Sequence, residues 1–372
     1  DLESRLAPLY DQLHLKPGQL EQLTGIEESR YWDPDFRLSE GAIQAGQKAI
    51  EASGIPADEI GMLIYGAVCR ENLEPATACA VADGLKLGPA AQVFDISNAC
   101  IGMLNGILQV ANAIELGQIR AGLVVACESC RQIVDGTIAR MLQAGDMETF
   151  KHCVATLTGG SGAAAVVVSD GSFGRPGHRL LGGMVKNAVR HHRLCTWGPD
   201  TGIPASGLHV MNTDSVGVLQ NGVQLGIETF NAFRQELGWT GDDLPNKIIC
   251  HQVGSSHQQA ILNAIGIPAT GTGWRRRSSR RSSVWSRAPA SRRRFPPETR
   301  SVNGTMRASS RRRPAPLAIA MALGLGQPSR GATMRSSSRS ICGLPKLMPW
   351  LAMSSASVIT LATCSSALDG MQ

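Results

Sequence analysis

The clearest hydrophobic pattern in the chain lies between residues 91 and 117. Residues 91–96 form a short, mostly apolar run, which predicts a buried strand. Residues 101–116 are apolar on nearly every face, and Gly117 then interrupts the run. An apolar stretch of this kind is typical of a helix buried inside a core. The pattern therefore predicts a strand that leads directly into a buried helix.

Short apolar runs and stretches with helical spacing alternate along much of the chain. Strands are predicted at 62–68, 122–126 and 247–250, and 156–168 is predicted to be a glycine turn that feeds a buried strand. Helices are predicted at 41–53, 76–85, 216–237 and 257–262. The segment 171–204 is rich in Gly, Pro, Arg and His, which indicates a loop region or a covering flap. The alternation predicts an α/β architecture, with helices packed on a mostly parallel sheet.

Two residues in this pattern are candidates for chemistry. Cys100 lies at the strand-to-helix junction, where the N–H groups and positive dipole end of a helix stabilise a thiolate. Gly102 and Gly106 would let other backbone approach closely. His251 lies at the exit of the strand 247–250. The alternatives are a small buried hydrophobic residue for Cys100 and a histidine with satisfied hydrogen bonds for His251.

Charge divides the chain into two unequal parts. The net charge of +6 conceals an excess of acidic residues over 1–271 and a strong excess of arginine over 272–372. Three interpretations of the basic part are open: a nucleic-acid arm, a disordered tail with little to bury, and a product of a shifted reading frame. We favour the shifted frame, because GC-rich sequence read out of frame yields Arg, Ser, Pro and Ala.

The cysteines predict a reducing compartment and no metal centre. Ten cysteines are scattered without a regular framework and no signal peptide is evident, so the cytoplasm is expected. The pair Cys127 and Cys130 has no second pair to complete a zinc site and is interpreted as two thiols at a strand end. His191 and His192 are adjacent, so their side chains diverge and a solvated loop is favoured over a metal pair. No apolar run reaches the roughly 18–20 residues of a membrane helix.

Two blocks of sequence carry a resemblance to a known family. Residues 97–106, Ser-Asn-Ala-Cys-Ile-Gly-Met-Leu-Asn-Gly, resemble the nucleophile segment of the ketoacyl synthase III (3-oxoacyl-ACP synthase III) family. Residues 249–259, Ile-Cys-His-Gln-Val-Gly-Ser-Ser-His-Gln-Gln, resemble its histidine motif. These thiolase-fold enzymes join two acyl thioesters, and the similarity runs from near residue 1 to about residue 268.

The resemblance implies a fold, an activity and two site residues. It implies a thiolase-like α/β fold with an N-terminal half over 1–170, a partial C-terminal half over 171–271 and an aberrant, disordered tail over 272–372. It implies an acyltransferase without a cofactor, in which Cys100 holds the first acyl group. His251 and the backbone N–H of Cys100 are then the donors that stabilise the tetrahedral oxyanions.

A third residue, Glu74, indicates the branch of the family. Residues 74–78, Glu-Pro-Ala-Thr-Ala, resemble a segment of the branch that begins long-chain olefin synthesis. Glu74, the first of them, precedes Cys100 by 26 positions. In that branch a glutamate of the partner subunit removes the α-proton of a second acyl-CoA, which implies a homodimer and a condensation without decarboxylation. The alternatives are a surface glutamate near a helix N-terminus and, for the function, a synthase that uses malonyl-ACP.

Two further motifs of the family are not recognisable in this chain. They are an asparagine in a Gly-Asn-Thr-Gly-like segment and a glycine-rich loop near the C-terminus. Asn303 to Thr305 has part of the first motif, but arginines and prolines surround it, and no role is assigned to it. A third hypothesis, from another class, is therefore an inactive frame-shifted product whose basic tail binds nucleic acid non-specifically.

Overall fold

The computed structural model describes residues 2–26, 29–174, 178–199, 209–239, 248–251 and 255–266. At residues 250 and 255–258, and in three strands at 318–324, 348–353 and 357–365, it describes the backbone alone. The predictions for the arginine-rich stretch of the tail and for Asn303 lie outside the described residues.

Helices and strands alternate through the first half of the chain. In order they are α1 (Leu2–Gln12), α2 (Gln19–Thr24), α3 (Leu38–Ser53), β1 (Ile60–Tyr65), α4 (Thr77–Gly84), β2 (Gln92–Asp95), α5 (Gly102–Glu115), β3 (Ala121–Glu128), α6 (Arg131–Ala144), α7 (Met147–Cys153) and β4 (Gly162–Ser169). The strands and helices predicted for this half occur in the predicted order, α2, α6 and α7 are found in addition, and the apolar run of 101–116 forms α5.

The rest of the chain adds more strands than helices. In order the elements are β5 (His178–Asn187), β6 (Cys195–Pro199), β7 (His209–Thr213), α8 (Ser215–Glu236), β8 (Ile249–Cys250), α9 (Ser255–Ala264), β9 (Ala318–Gly324), β10 (Met348–Met353) and β11 (Ser357–Ser365). The prediction of a loop or flap over 171–204 is wrong at 178–187 and 195–199, because β5 and β6 lie there. The glycine and arginine content of this segment predicted a loop, but β5 is extended because it pairs with β9 and β11, which lie far along the chain.

Nine of these strands form one mixed sheet in the order β2-β1-β3-β4-β9-β5-β11-β10-β8. β1 pairs in parallel with β2 and β3, and β8 pairs in parallel with β10. The pairs from β3 through β4, β9, β5 and β11 to β10 are antiparallel. β6 and β7 form a separate antiparallel hairpin. The sheet is therefore mixed, and parallel pairing is confined to its two ends.

The strand that leads to Cys100 is less buried than its sequence predicts. β2 occupies one edge of the sheet and pairs with β1. Its four residues are exposed or half-buried, whereas those of β1 are almost all buried. An edge strand packs against fewer neighbours, so an apolar run there does not produce full burial.

Helix α5 packs tightly on β1, β3 and β4, towards one end of the sheet. Its apolar face contacts Ile64, Val124 and Val166 on three neighbouring strands. A Cβ atom on Gly106 would lie 2.6 Å from a methyl carbon of Val124, so glycine lets the helix approach β3 at this point. Each fully buried aliphatic side chain in this layer contributes roughly 1.5–3 kcal/mol. The buried helix predicted from the sequence is confirmed.

The tail departs from the expected absence of folded structure in three segments. β9 lies between β4 and β5 in the middle of the sheet, and β11 pairs with β5 over its whole length. These segments are the apolar parts of the tail, 318–324 and 348–365, which are poor in arginine. Composition averaged over 272–372 masked them. The division at residues 170 and 271 remains a prediction.

The two cysteines Cys127 and Cys130 lie where the sequence predicts them. Cys127 and Cys130 are free thiols at and just beyond the end of β3, as expected for a strand end. Within the described ranges, no group of His, Cys, Asp and Glu is arranged to hold a metal ion. None of the helices described is both long and apolar enough to cross a membrane.

Candidate active site

Cys100 lies in a sharp turn between the edge strand and the buried helix. β2 ends at Asp95, and a short 3₁₀ turn, Ala99–Ile101, precedes α5. Ala99 has a φ angle of 46°, in the left-handed region that residues with a side chain rarely adopt. Strained backbone of this kind clusters at functional sites. The predicted position of Cys100 next to the first turn of a helix is confirmed.

The first turn of α5 packs directly against the end of β1. A Cβ atom on Gly66 would lie 2.7 Å from the carbonyl carbon and oxygen of Gly102. In the other direction, a Cβ on Gly102 would lie 2.9 Å from the carbonyl oxygen of Gly66. Neither position accepts a side chain unless backbone moves. The predicted close approach at Gly102 is confirmed, and it fixes the turn that follows Cys100.

The structure brings the two sequence-predicted candidates, Cys100 and His251, into contact. His251 follows β8, and its Nε2 atom lies 3.0 Å from the Sγ atom of Cys100. The two residues are 151 positions apart in the chain. A thiol within hydrogen-bonding distance of an imidazole is the arrangement of an activated nucleophile and its base. The geometry therefore allows transfer of the thiol proton to His251.

The surroundings of Cys100 oppose ionisation of its thiol. Cys100 keeps exposed surface, but protein atoms surround the sulfur, and this loss of hydration raises the pKa of the thiol to about 12. The nearby thiol of Cys195 raises the pKa further, and the backbone N–H of Cys100 opposes the rise. Loss of hydration therefore acts against the thiolate that the helix end is expected to stabilise. Cys100 is therefore a thiol at neutral pH until a base removes its proton.

Glu74 lies apart from this pair in the single chain. It is exposed in the loop between β1 and α4, next to Leu73, whose side chain is 97% exposed. In the part of the chain that the structure describes, the Glu74 side chain makes no hydrogen bond or ion pair. One subunit alone therefore does not place Glu74 against Cys100.

Three carboxylates hold the loop around Glu74, and none of them is distinctive in the sequence. Glu128 accepts hydrogen bonds from the N–H groups of residues 68 and 69, at 2.7 and 3.0 Å. Glu71 accepts from the N–H and hydroxyl of Ser39, at 2.7 and 2.8 Å. Asp95 accepts from the N–H groups of residues 77 and 78, at 3.1 and 2.9 Å. The sequence signal available was only an acidic residue at each strand or loop end.

The protonation of two of these anchors differs. Burial raises the pKa of Glu128 above its usual value, although hydrogen bonds from Val68 and Cys69 oppose the rise. Burial also acts to raise the pKa of Glu71, but the hydrogen bonds from Ser39 and the Arg37 guanidinium have the larger combined effect, so its pKa is lowered. Glu71 is therefore a firmly ionised anchor at neutral pH.

Comparison with known proteins identifies the class. Residues 94–186 match the family model "3-Oxoacyl-[acyl-carrier-protein (ACP)] synthase III". An acyl-CoA:acyl-CoA alkyltransferase of Shewanella oneidensis is 47% identical over 271 residues, which cover 72% of this chain and 77% of that protein. One from Xanthomonas campestris pv. campestris is 34% identical over 268 residues, with coverage of 72% and 76%.

Solved structures agree with this relationship. A variant of OleA from Xanthomonas campestris, in which a cysteine is replaced by alanine, superimposes with a TM-score of 0.72 and 25% identity, covering 98% of this chain and 91% of that one. The fold is thus thiolase-like and the protein is of the 3-oxoacyl-ACP synthase III type. Within that type, the chain belongs to the family of acyl-CoA:acyl-CoA alkyltransferases, the branch that contains OleA.

Proposed function

We propose that this acyltransferase joins two fatty acyl-CoA molecules by a Claisen condensation without decarboxylation, as a step of long-chain olefin or lipid biosynthesis. The observation that carries the proposal is the 3.0 Å contact between Cys100 Sγ and His251 Nε2, at the start of a buried helix. The names of the relatives with 47% and 34% identity support acyl-CoA as both substrates.

The first half-reaction is a transfer of the acyl group to Cys100. The thiol proton moves to Nε2 of His251 as Sγ attacks the thioester carbonyl carbon of the first acyl-CoA. The protonated Nε2 and the backbone N–H of Cys100 then donate to the tetrahedral oxyanion. The bond from carbon to the CoA sulfur breaks, and the departing CoA thiolate takes the proton from His251. The products are acyl-Cys100 and free CoA.

The second half-reaction forms the carbon–carbon bond. Glu74 of the partner subunit removes a proton from the α-carbon of the second acyl-CoA. This carbon attacks the carbonyl carbon of acyl-Cys100, and the bond to Sγ breaks. Glu74 gives up the proton that it removed, the Cys100 thiolate takes up one proton through solvent, and the product is a 3-oxo thioester of CoA that is alkylated at its α-carbon.

The assignment of Glu74 is supported by its position relative to Cys100. Solved variants of Xanthomonas campestris OleA replace a cysteine, a glutamate or a histidine. The glutamate precedes the cysteine by 26 positions in that protein, as Glu74 precedes Cys100 here. The histidine follows the cysteine by 142 positions there and by 151 here, so the two chains differ in length between these residues. A further OleA structure holds lauric acid and lauroyl-CoA.

A homodimer is part of the proposal, because one subunit does not place Glu74 at Cys100. Two features of the single chain support an interface on this side. Leu73, next to Glu74, is almost fully exposed, and β2 presents a sheet edge beside the Cys100 turn. Exposed edges of sheets are normally covered or paired.

The seven free thiols among the described residues support a reducing compartment, the cytoplasm.

A malonyl-using 3-oxoacyl-ACP synthase III is the second candidate. The family model and a synthase III of Clostridium perfringens, 32% identical over 173 residues, favour it. The two functions separate when the full chain is incubated with lauroyl-CoA, with and without malonyl-CoA or malonyl-ACP, and products are weighed by mass spectrometry. Condensed product from lauroyl-CoA alone supports the first proposal. Product that forms only with a malonyl thioester overturns it in favour of the second.

A further inference from the structure

Asp95 joins the strand before Cys100 to the segments on both sides of Glu74. Its Oδ1 and Oδ2 atoms accept hydrogen bonds from the N–H groups of Ala78 and Thr77, in the first turn of α4. Its Oδ2 also lies 3.2 Å from the Nε of Arg70, at the start of the loop. A terminal nitrogen of Arg70 donates to the carbonyl of Ile96, at 2.8 Å. One carboxylate therefore ties its own strand to two other parts of the chain, Arg70 and the start of α4.

The same loop is held at two other points. Glu128 binds the backbone at residues 68 and 69, and Glu71 binds the N-terminus of α3 through Ser39. The N–H of Glu71 donates to the Thr77 hydroxyl at 3.2 Å, which closes the loop on itself. Between these points residues 72–75 are exposed, including Glu74. The loop is therefore fixed by hydrogen bonds at both ends, and its exposed residues 72–75 form a short tip.

We propose that Asp95, with Arg70, is a positioning residue for condensation that fixes the loop presenting Glu74 relative to the strand that leads to Cys100. The inference rests on the proposed function of Glu74 as the base. Asp95 does not itself contact substrate in this proposal. It sets where the tip enters the composite site of a dimer.

The physical reason is that the rate of proton transfer falls steeply as the base moves away from the proton. A general base must lie within hydrogen-bonding reach of the proton that it removes. A misplacement of 1 Å lowers the rate by about a hundredfold, even when it originates far from the chemistry. The side chains of Asp95 and Arg70 are only 12% and 20% exposed, so water replaces this contact poorly. Acylation of Cys100 needs no base from the loop and is insensitive to its position.

Asp95→Asn is the sharpest change. It removes the charge that pairs with Arg70 and turns one accepting oxygen into an NH₂ group that faces a backbone N–H donor. Asp146→Asn is the matched control, because Asp146 accepts from the N–H of Thr149 at the N-terminus of α7. Glu71→Gln is a second test of the same loop, should Asp95→Asn fold poorly.

Three readouts in the full chain test the proposal: acyl transfer to Cys100, condensation of two lauroyl-CoA molecules, and hydrogen exchange of residues 68–78. We expect Asp95→Asn to keep acyl transfer within about twofold, to lower condensation by about tenfold to a hundredfold, and to speed exchange in the loop. Glu71→Gln should behave alike, and Asp146→Asn should match the unmutated chain. Equal losses of acyl transfer and condensation, or unchanged exchange in the loop, would overturn the proposal.

Mixed dimers locate the effect. A dimer of a Cys100→Ser chain with a Glu74→Ala chain has one composite site, with Glu74 from the first chain and Cys100 from the second. Asp95→Asn should lower condensation when it is placed in the chain that supplies Glu74. An effect only in the chain that supplies Cys100 would contradict the proposal. A separate result would refute the proposed function itself. In that case Glu74→Ala, with Asp95 unchanged, would condense two lauroyl-CoA molecules at the unmutated rate.

Discussion

The Nε2 atom of His251 lies 3.0 Å from the Sγ atom of Cys100, across 151 positions of the chain. The contact joins the residue after β8 to the turn between β2 and α5. β2 and β8 are the two edge strands of the sheet, so strands from its opposite edges position the two side chains. Desolvation raises the pKa of the Cys100 thiol, and we propose that the imidazole of His251 removes its proton to make the sulfur a nucleophile at neutral pH. The chemistry of the site therefore depends on long-range folding.

The first prediction is that Cys100 forms the acyl-enzyme. After mixing with lauroyl-CoA, peptide mass spectrometry of the full chain should find the acyl mass on Cys100. Cys100→Ala should abolish it, whereas Cys130→Ala, which changes a half-buried thiol beyond β3, should leave it intact. An acyl group on Cys127 or Cys130 in the unmutated chain would contradict the assignment.

The second prediction concerns pH. Since the pKa of Cys100 is raised to about 12, the thiolate is the minor form below that pH and its fraction rises tenfold per pH unit. In His251→Asn, which lacks the base, alkylation of Cys100 by iodoacetamide should therefore accelerate about tenfold per unit from pH 7 to 10. The unmutated chain should react faster at pH 7 and show a shallower slope. A plateau below pH 9 in His251→Asn would show that the thiol is not desolvated.

Much of the fold and of the pair was predictable from local pattern. The all-round apolar run identified α5, and the two short blocks identified Cys100 and His251 before any contact was known. The exposure of β2 and the thiol pKa were not predictable, because both depend on neighbours far along the chain, such as Cys195. The support at Asp95 was missed for the same reason: its partners lie 17 and 18 positions away, in another element.

The third prediction tests the strands of the tail. β9 pairs with β4 and β5 in the middle of the sheet, with Met321 opposite Val166. A proline removes a ladder hydrogen bond and is not tolerated in a central strand. Met321→Pro should therefore lower the thermal midpoint of the full chain by at least about 5 °C. An unchanged midpoint would show that the body folds without β9, as composition alone predicted.

Sequencing the coding DNA around codons 266–275 completes this test. The relatives match over 271 and 268 residues, close to the length that precedes the basic region. A Gly-Asn-Thr-Gly-like segment in another frame would establish the shifted frame that we favour. Its absence from every frame would contradict that interpretation and leave the present tail as the native one.

The last prediction concerns Glu74. A general base must lie within hydrogen-bonding reach of the α-proton that it removes. Glu74 is exposed in the single chain, so in our proposal a dimer brings it to the second acyl-CoA. Glu74→Ala should form acyl-Cys100 at the unmutated rate but lose condensation of two lauroyl-CoA molecules by about a hundredfold or more. Glu115→Ala, at an exposed glutamate at the end of α5, is the control and should keep both steps. Supplying malonyl-CoA to Glu74→Ala separates the two candidate functions, because loss of carbon dioxide replaces the base. If Glu74→Ala condenses two acyl-CoAs at the unmutated rate, Glu74 is not the base and the non-decarboxylative assignment is wrong.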